Sequence, residues 1–170
     1  MSQVAIHAPK VTDPILHVVL YEPEIPLNTG SIGRTCMAVG AKLWLVRPLG
    51  FRIDDRRLRR AGLDYWEHLD WEVVNDWSRL QAAIGPRSYW MIETHGERLY
   101  TEASFQRGDV LVFGPETRGL PNKLLTTEPQ RVLRLPMQAD ARSLNQSNVV
   151  SVVVFEALRQ IHSWPGPNLV

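Results

Sequence analysis

Short apolar runs rich in β-branched residues recur along the chain, each closed by a polar stretch bearing glycine or proline. ILHVVLY (15–21), KLWLVRP (42–48), SYWMIET (88–94), DVLVFG (109–114) and RVLRLPM (131–137) are such runs. Their length and continuous apolarity predict buried strands. Helical stretches lie between them. SIGRTCMAVG (31–40) places Ile32, Cys36 and Val39 on one face, with Gly40 as a C-cap. DWSRLQAAIG (76–85) closes on Gly85, and LPNKLLTT (120–127) carries Pro121 at its first turn. EPEIPLNTG, before the first helix, reads as a turn-rich loop. Strands alternating with helices imply an α/β fold with a mainly parallel sheet flanked by helices.

The last long segment, 145–163, suits a strand by its valines and a helix by its length, and length favours the helix. It is apolar nearly all round, so burial on most sides is expected. In a chain of 170 residues that points to burial against a second subunit. The length fits one domain, taken as 15–164, with a short N-terminal arm (1–14) and a tail (165–170).

Several functional classes lack their parts. The single cysteine, Cys36, allows neither an internal disulfide nor a Cys-based zinc site. His7, His17, His68, His95 and His162 show no metal-ligand spacing, so no metal is expected, and His17 inside an apolar run reads as a core or interface residue. No GxxxxGK[ST], GxGxxG or GxSxG is present. No apolar stretch approaches the roughly 18 residues of a membrane span. MSQVAIHAPKVTDP lacks the basic and apolar regions of a signal peptide. A cytoplasmic protein is expected.

Ligands of open α/β sheets bind beyond the carboxyl ends of the strands. Three polar, glycine-bearing segments fall there: 23–36, 113–121 and 135–148. Convergence on one site is expected. In FGPETRGLP, Gly114 permits close backbone approach and Glu116 is an acceptor; the plainer reading is a tight turn with a Glu–Arg pair. In NTGSIGR, Arg34 can fork onto a phosphate, or can simply face water. RSLNQSNVV offers Ser143, Asn145, Ser147 and Asn148 at a helix start, suited both to capping and to a ligand. FRIDDRRLRRAG clusters Arg52, Arg56, Arg57, Arg59 and Arg60, either as a phosphate-binding patch or as a solvated face pairing with Asp54 and Asp55.

Taken together, PEIPLNTGSIGRTC, FGPETRGLP and LPM…RSLNQSNVVSVVVFEALRQ resemble the signature motifs of the SPOUT-superfamily RNA methyltransferases. VVLYEPEIPLNTGSIGRTC and PLGFRIDDRRLRRAGLDY look most like the tRNA 2′-O-methyltransferases of the TrmL (YibK) group. The resemblance spans about residues 16–164, with THGERLYTEASF departing from the group's TTKG-like stretch. It implies a C-terminal deep trefoil knot, a homodimer with the site near its interface, and S-adenosylmethionine as methyl donor, leaving S-adenosylhomocysteine. It further implies methylation of the wobble ribose, cytidine or uridine 34, in leucine tRNAs. Ile92, Thr94, Gly114, Leu135, Met137, Ser143 and Asn145 are the implied cofactor contacts, mostly through backbone. Asn28, Arg34, Glu116, Ser143 and Asn145 match the polar catalytic positions. Arg34, Arg56, Arg57, Arg59 and Arg60 become the implied tRNA contacts. Two alternatives stay open: ribose methylation of another RNA or tRNA position, and a non-catalytic RNA-binding protein on the same fold.

Overall fold

The computed structural model describes residues 13–53, 66 and 68–161. Most of the N-terminal arm, the tail, and Arg56, Arg57, Arg59 and Arg60 lie outside the described residues. The elements in chain order are β1 (His17–Tyr21), α1 (Pro26–Val39), β2 (Lys42–Val46), β3 (Trp71–Val74) and α2 (Trp77–Ile84). There follow β4 (Tyr89–Ile92), β5 (Arg98–Leu99), β6 (Val110–Phe113), α3 (Asn122–Leu125), β7 (Val132–Arg134) and α4 (Gln146–Ile161).

Among the described residues seven strands form one sheet in the order β3-β2-β1-β6-β4-β7-β5. All of the registered pairs are parallel. Such a sheet must be covered on both faces, which explains why β1, β2 and β6 read as unbroken apolar runs. Side chains alternate between two cores. Val18, Leu20, Leu43 and Leu45 meet Ile32 and Cys36 of α1 and Val150, Val153 and Val154 of α4. Val19, Trp44 and Val112 meet Leu80 of α2 on the opposite face.

The expected strands are found, and two more are added. β3 has three half-buried residues of four, which weakens its apolar signal, and β5 is two residues long. The first helix begins at Pro26, inside the stretch read as a loop, because the carboxylate that supports its amino end comes from elsewhere in the chain. Pro121 sits just outside α3, at its N-cap. Residues 146–161 form a helix, and its buried set (Val150, Val153, Val154, Ala157 and Leu158) has helical period. Its other stripe is open: Val152 is 41% and Phe155 48% exposed, so this chain alone does not bury it on most sides.

Candidate active site

The carboxyl ends of β1, β6 and β7 lead into the three segments 23–36, 113–121 and 135–148, which meet as expected. Glu116 lies at their junction. Its carboxylate accepts from Glu24 N at 2.9 Å, Ile25 N at 3.3 Å and Asn28 Nδ2 at 3.1 Å. α1 has no side-chain cap of its own, so Glu116 supplies acceptor and negative charge at its amino end. Asn28 is buried, and its Oδ1 accepts from Asn145 Nδ2 at 3.0 Å. Asn145 Oδ1 in turn accepts from the backbone N of Ser147 at 2.9 Å and its Oγ at 2.6 Å, which is capping geometry at the start of α4. One line, Glu116–Asn28–Asn145–Ser147, therefore ties all three segments together.

A second set of bonds closes the same junction. Glu24 Oε2 accepts from Thr117 N at 3.0 Å and Oε1 from Thr117 Oγ1 at 2.9 Å. Arg118 Nη1 donates to Glu24 Oε1 at 3.1 Å, and Nη2 pairs with Glu22. The Glu–Arg pair of the plainer reading of FGPETRGLP thus does not form: Glu116 serves α1, and Arg118 reaches back to the loop after β1. Gly114 has no room for a side chain, since a Cβ there would lie 2.5 Å from both the carbonyl carbon of Gly119 and the nitrogen of Leu120. Gln146 Nε2 donates to Gly114 O at 2.6 Å, leaving its Oε1 buried without a partner among the described residues.

These segments enclose a cavity of about 550 Å³. Ile92, Thr94, Gly114, Leu135, Met137, Ser143 and Asn145 all line it, as do Asn28 and Glu116. Arg34 does not: it is exposed on α1, sharing the stripe of Leu27 and Ser31. Glu93, His95, Arg142 and Gln146 line the cavity without having been singled out from the sequence, and Arg118, read there only as a partner for Glu116, lines it too. Their signal was position alone, directly after a strand or within a motif loop. Burial pushes the Glu93 carboxyl above the usual carboxylate range, partly offset by the N–H groups of Leu120 and Thr94 and by His95. Among the described residues no cluster of His, Cys, Asp and Glu could hold a metal, and no helix is long and apolar enough to cross a membrane.

A profile of the SpoU rRNA Methylase family matches residues 15–155, which include all three segments. The chain belongs to this family. A Yersinia pestis relative, a tRNA (cytidine(34)-2′-O)-methyltransferase, is 49% identical over 89% of this chain and 97% of its own. A solved structure concerning 2-OH methylation of C/U34 on tRNA superposes with TM-score 0.81 at 44% identity, covering 85% of this chain and 95% of that one. A SpoU methyltransferase from Streptomyces viridochromogenes, solved in complex with AdoMet, superposes at 0.75 with 28% identity, over 88% of this chain and 62% of its own. The SpoU methylase fold thus carries the site described above.

Proposed function

We propose that the protein is a tRNA (cytidine/uridine 34)-2′-O-methyltransferase that moves a methyl group from S-adenosylmethionine to the wobble ribose, with leucine tRNAs as substrates. The observation that carries this reading is near-half identity to the Yersinia enzyme along almost its entire length, together with the unbroken Glu116–Asn28–Asn145 line.

The cavity fits the methyl donor. Its volume is in the range of small-molecule sites. Ile92, Leu135 and Met137 offer apolar surface for an adenine, and the orphan Oε1 of Gln146 is an acceptor in want of an N–H or O–H donor. S-adenosylmethionine supplies an activated methyl group on a sulfonium. The protein's part is then to hold, orient and exclude water. Gly114 and the 135–145 segment bind mainly through backbone, while Asn28, Glu116, Ser143 and Asn145 fix the shape of the wall.

Arg34 is assigned to the RNA. A guanidinium stays protonated, so it cannot act as the base. Its fork is suited to the phosphate beside the target ribose and to negative charge developing on the 2′-oxygen. A homodimer is part of the reading. Arg34 and Leu27 on α1 and Val152 and Phe155 on α4 are exposed on two helices that pack together and are joined by Thr35 and Ser151 at 3.1 Å. Arg56, Arg57, Arg59 and Arg60 are assigned to tRNA binding from the sequence alone, and a cytoplasmic location is part of the same reading.

A trefoil knot within a single domain, 15–164, is also proposed. β7 enters the sheet between β4 and β5, and Arg134 Nη1 donates to Gly96 O and Glu97 O, both at 2.8 Å. A Cβ on Gly96 would lie 2.6 Å from the carbonyl carbon of Leu133, so the segment before β5 runs in near contact with β7 before the chain returns to pack α4 on α1.

The test is methyl transfer to total bacterial tRNA, followed by digestion and mass-spectrometric mapping of 2′-O-methylated nucleosides. Methylation at position 34 of leucine tRNAs is the expected result. Methylation elsewhere overturns the target, and none at all overturns the activity.

A further inference from the structure

Glu93 and Glu116 both line the cavity, but their carboxylates differ in what they face. Both oxygens of Glu116 are occupied by the amino end of α1, whose positive dipole offsets its charge. The nearest cation in sequence, Arg118, is held by Glu22 and Glu24. Among the described residues Glu93 forms no ion pair with an arginine or lysine. The hydrogen-bond donors acting on its carboxylate are the backbone N–H groups of Leu120 and Thr94, and the ionisable group acting on it is His95.

Its place is fixed. Glu93 N donates to Leu133 O at 2.9 Å at the end of β4, and the carboxylate lies against Gly119. A Cβ on Gly119 would sit 2.7 and 2.8 Å from its oxygens, and the backbone there is left-handed at φ 69°, which glycine adopts without strain. The chain thus holds a half-buried carboxylate against the cavity wall at the cost of partly desolvating it.

We propose that Glu93 is a specificity residue that favours the sulfonium donor over its uncharged thioether product. This rests on the methyltransferase reading above. S-adenosylmethionine and S-adenosylhomocysteine share adenine, ribose, ammonium and carboxylate; they differ by one methyl group and one positive charge on sulfur. Any contact with the shared parts cancels in the ratio of their affinities. A carboxylate in the same cavity does not cancel, because it attracts one sulfur centre and leaves the other indifferent. At separations comparable with the cavity's own width, that attraction amounts to about tenfold in affinity at the effective dielectric of a protein site. The gain is practical: each turnover leaves the thioether in the cavity, and a site preferring the cation exchanges it for fresh donor.

Dissociation constants for both compounds, measured by calorimetry on wild type and Glu93→Gln, test this directly. Glutamine keeps the shape and an oxygen for Leu120 N. The expected result is a loss of about tenfold for S-adenosylmethionine, with S-adenosylhomocysteine changed less than twofold. Equal weakening of both would assign Glu93 to a shared part of the ligand and overturn the proposal, as would no change in either. If the variant fails to fold, the wild-type pair still decides, because tighter binding of the thioether than of the sulfonium contradicts a site tuned to the cation. Wild type that binds neither compound overturns the methyltransferase reading itself.

Discussion

Asn28 donates from its side chain to the carboxylate of Glu116 at 3.1 Å across 88 positions of sequence. The same amide accepts from Asn145 on its other side, so one buried side chain holds the start of α1 to the loops after β6 and before α4. The cavity wall is built on that bridge. Replacing Asn28 by Asp removes the donor and sets a second carboxylate beside Glu116. Asn28→Asp is expected to destabilise the fold by about 1–3 kcal/mol and to abolish donor binding. Thermal melts and calorimetry read both; a variant that melts and binds like wild type would contradict the bridging role.

Two glycines separate site geometry from ordinary capping. A Cβ on Gly114 meets backbone atoms at 2.5 Å, which cannot move aside cheaply, whereas one on Gly40 meets nothing within 4 Å and suffers only from φ 73°. Gly40→Ala is expected to cost about 1–2 kcal/mol in urea unfolding with donor affinity intact. Gly114→Ala should lose donor affinity at least tenfold. Equal affinities in the two variants would show that the close approach at Gly114 does not shape the site.

Arg34 stands apart from the cavity, and its variants should show it. Arg34→Ala is expected to leave the donor's dissociation constant within twofold while methyl transfer to tRNA falls by a hundredfold or more, in the range of losing a transition-state donor. Arg34→Lys keeps charge but not the fork and should recover little. Near-full activity of the lysine variant would exclude the bidentate role.

His17 predicts acid sensitivity away from the site. It is buried beside Trp44, whose indole N–H donates to its Nδ1 at 3.0 Å, so the neutral ring is the one that fits. Burial, then the nearby Arg87 and Lys42, lower its pKa to about 4. The folded state disfavours the proton that the unfolded chain accepts near pH 6.5. Stability is therefore full above pH 6.5 and is lost as pH falls toward 4, by on the order of 2–3 kcal/mol. Urea midpoints for wild type and His17→Gln at pH 7 and pH 4.5 check this; parallel losses in both proteins would exonerate His17.

The buried strands and the convergence of three loops were legible because apolar runs and turn residues are local signals, and because ligands of parallel sheets gather at strand ends. The start of α1 was not, since its supporting acceptor, Glu116, lies 92 residues along the chain from Glu24, in the loop after β6. β3 escaped notice because Trp71, Glu72 and Val73 are only half buried at the sheet's edge. Arg118 was read against its sequence neighbour, while the fold pairs it with Glu22 and Glu24. Glu93 carries no motif; only the cavity shows that it matters. Strand order, which places β7 between β4 and β5, has no counterpart in periodicity at all.

The most direct measurement compares two leucine tRNA transcripts that differ by a single atom, one with cytidine and one with 2′-deoxycytidine at the wobble position, each incubated with the protein and labelled S-adenosylmethionine. Methyl transfer to the ribose form and none to the deoxy form is expected. Equal labelling of both would place the methyl group on a different atom and contradict wobble-ribose methylation.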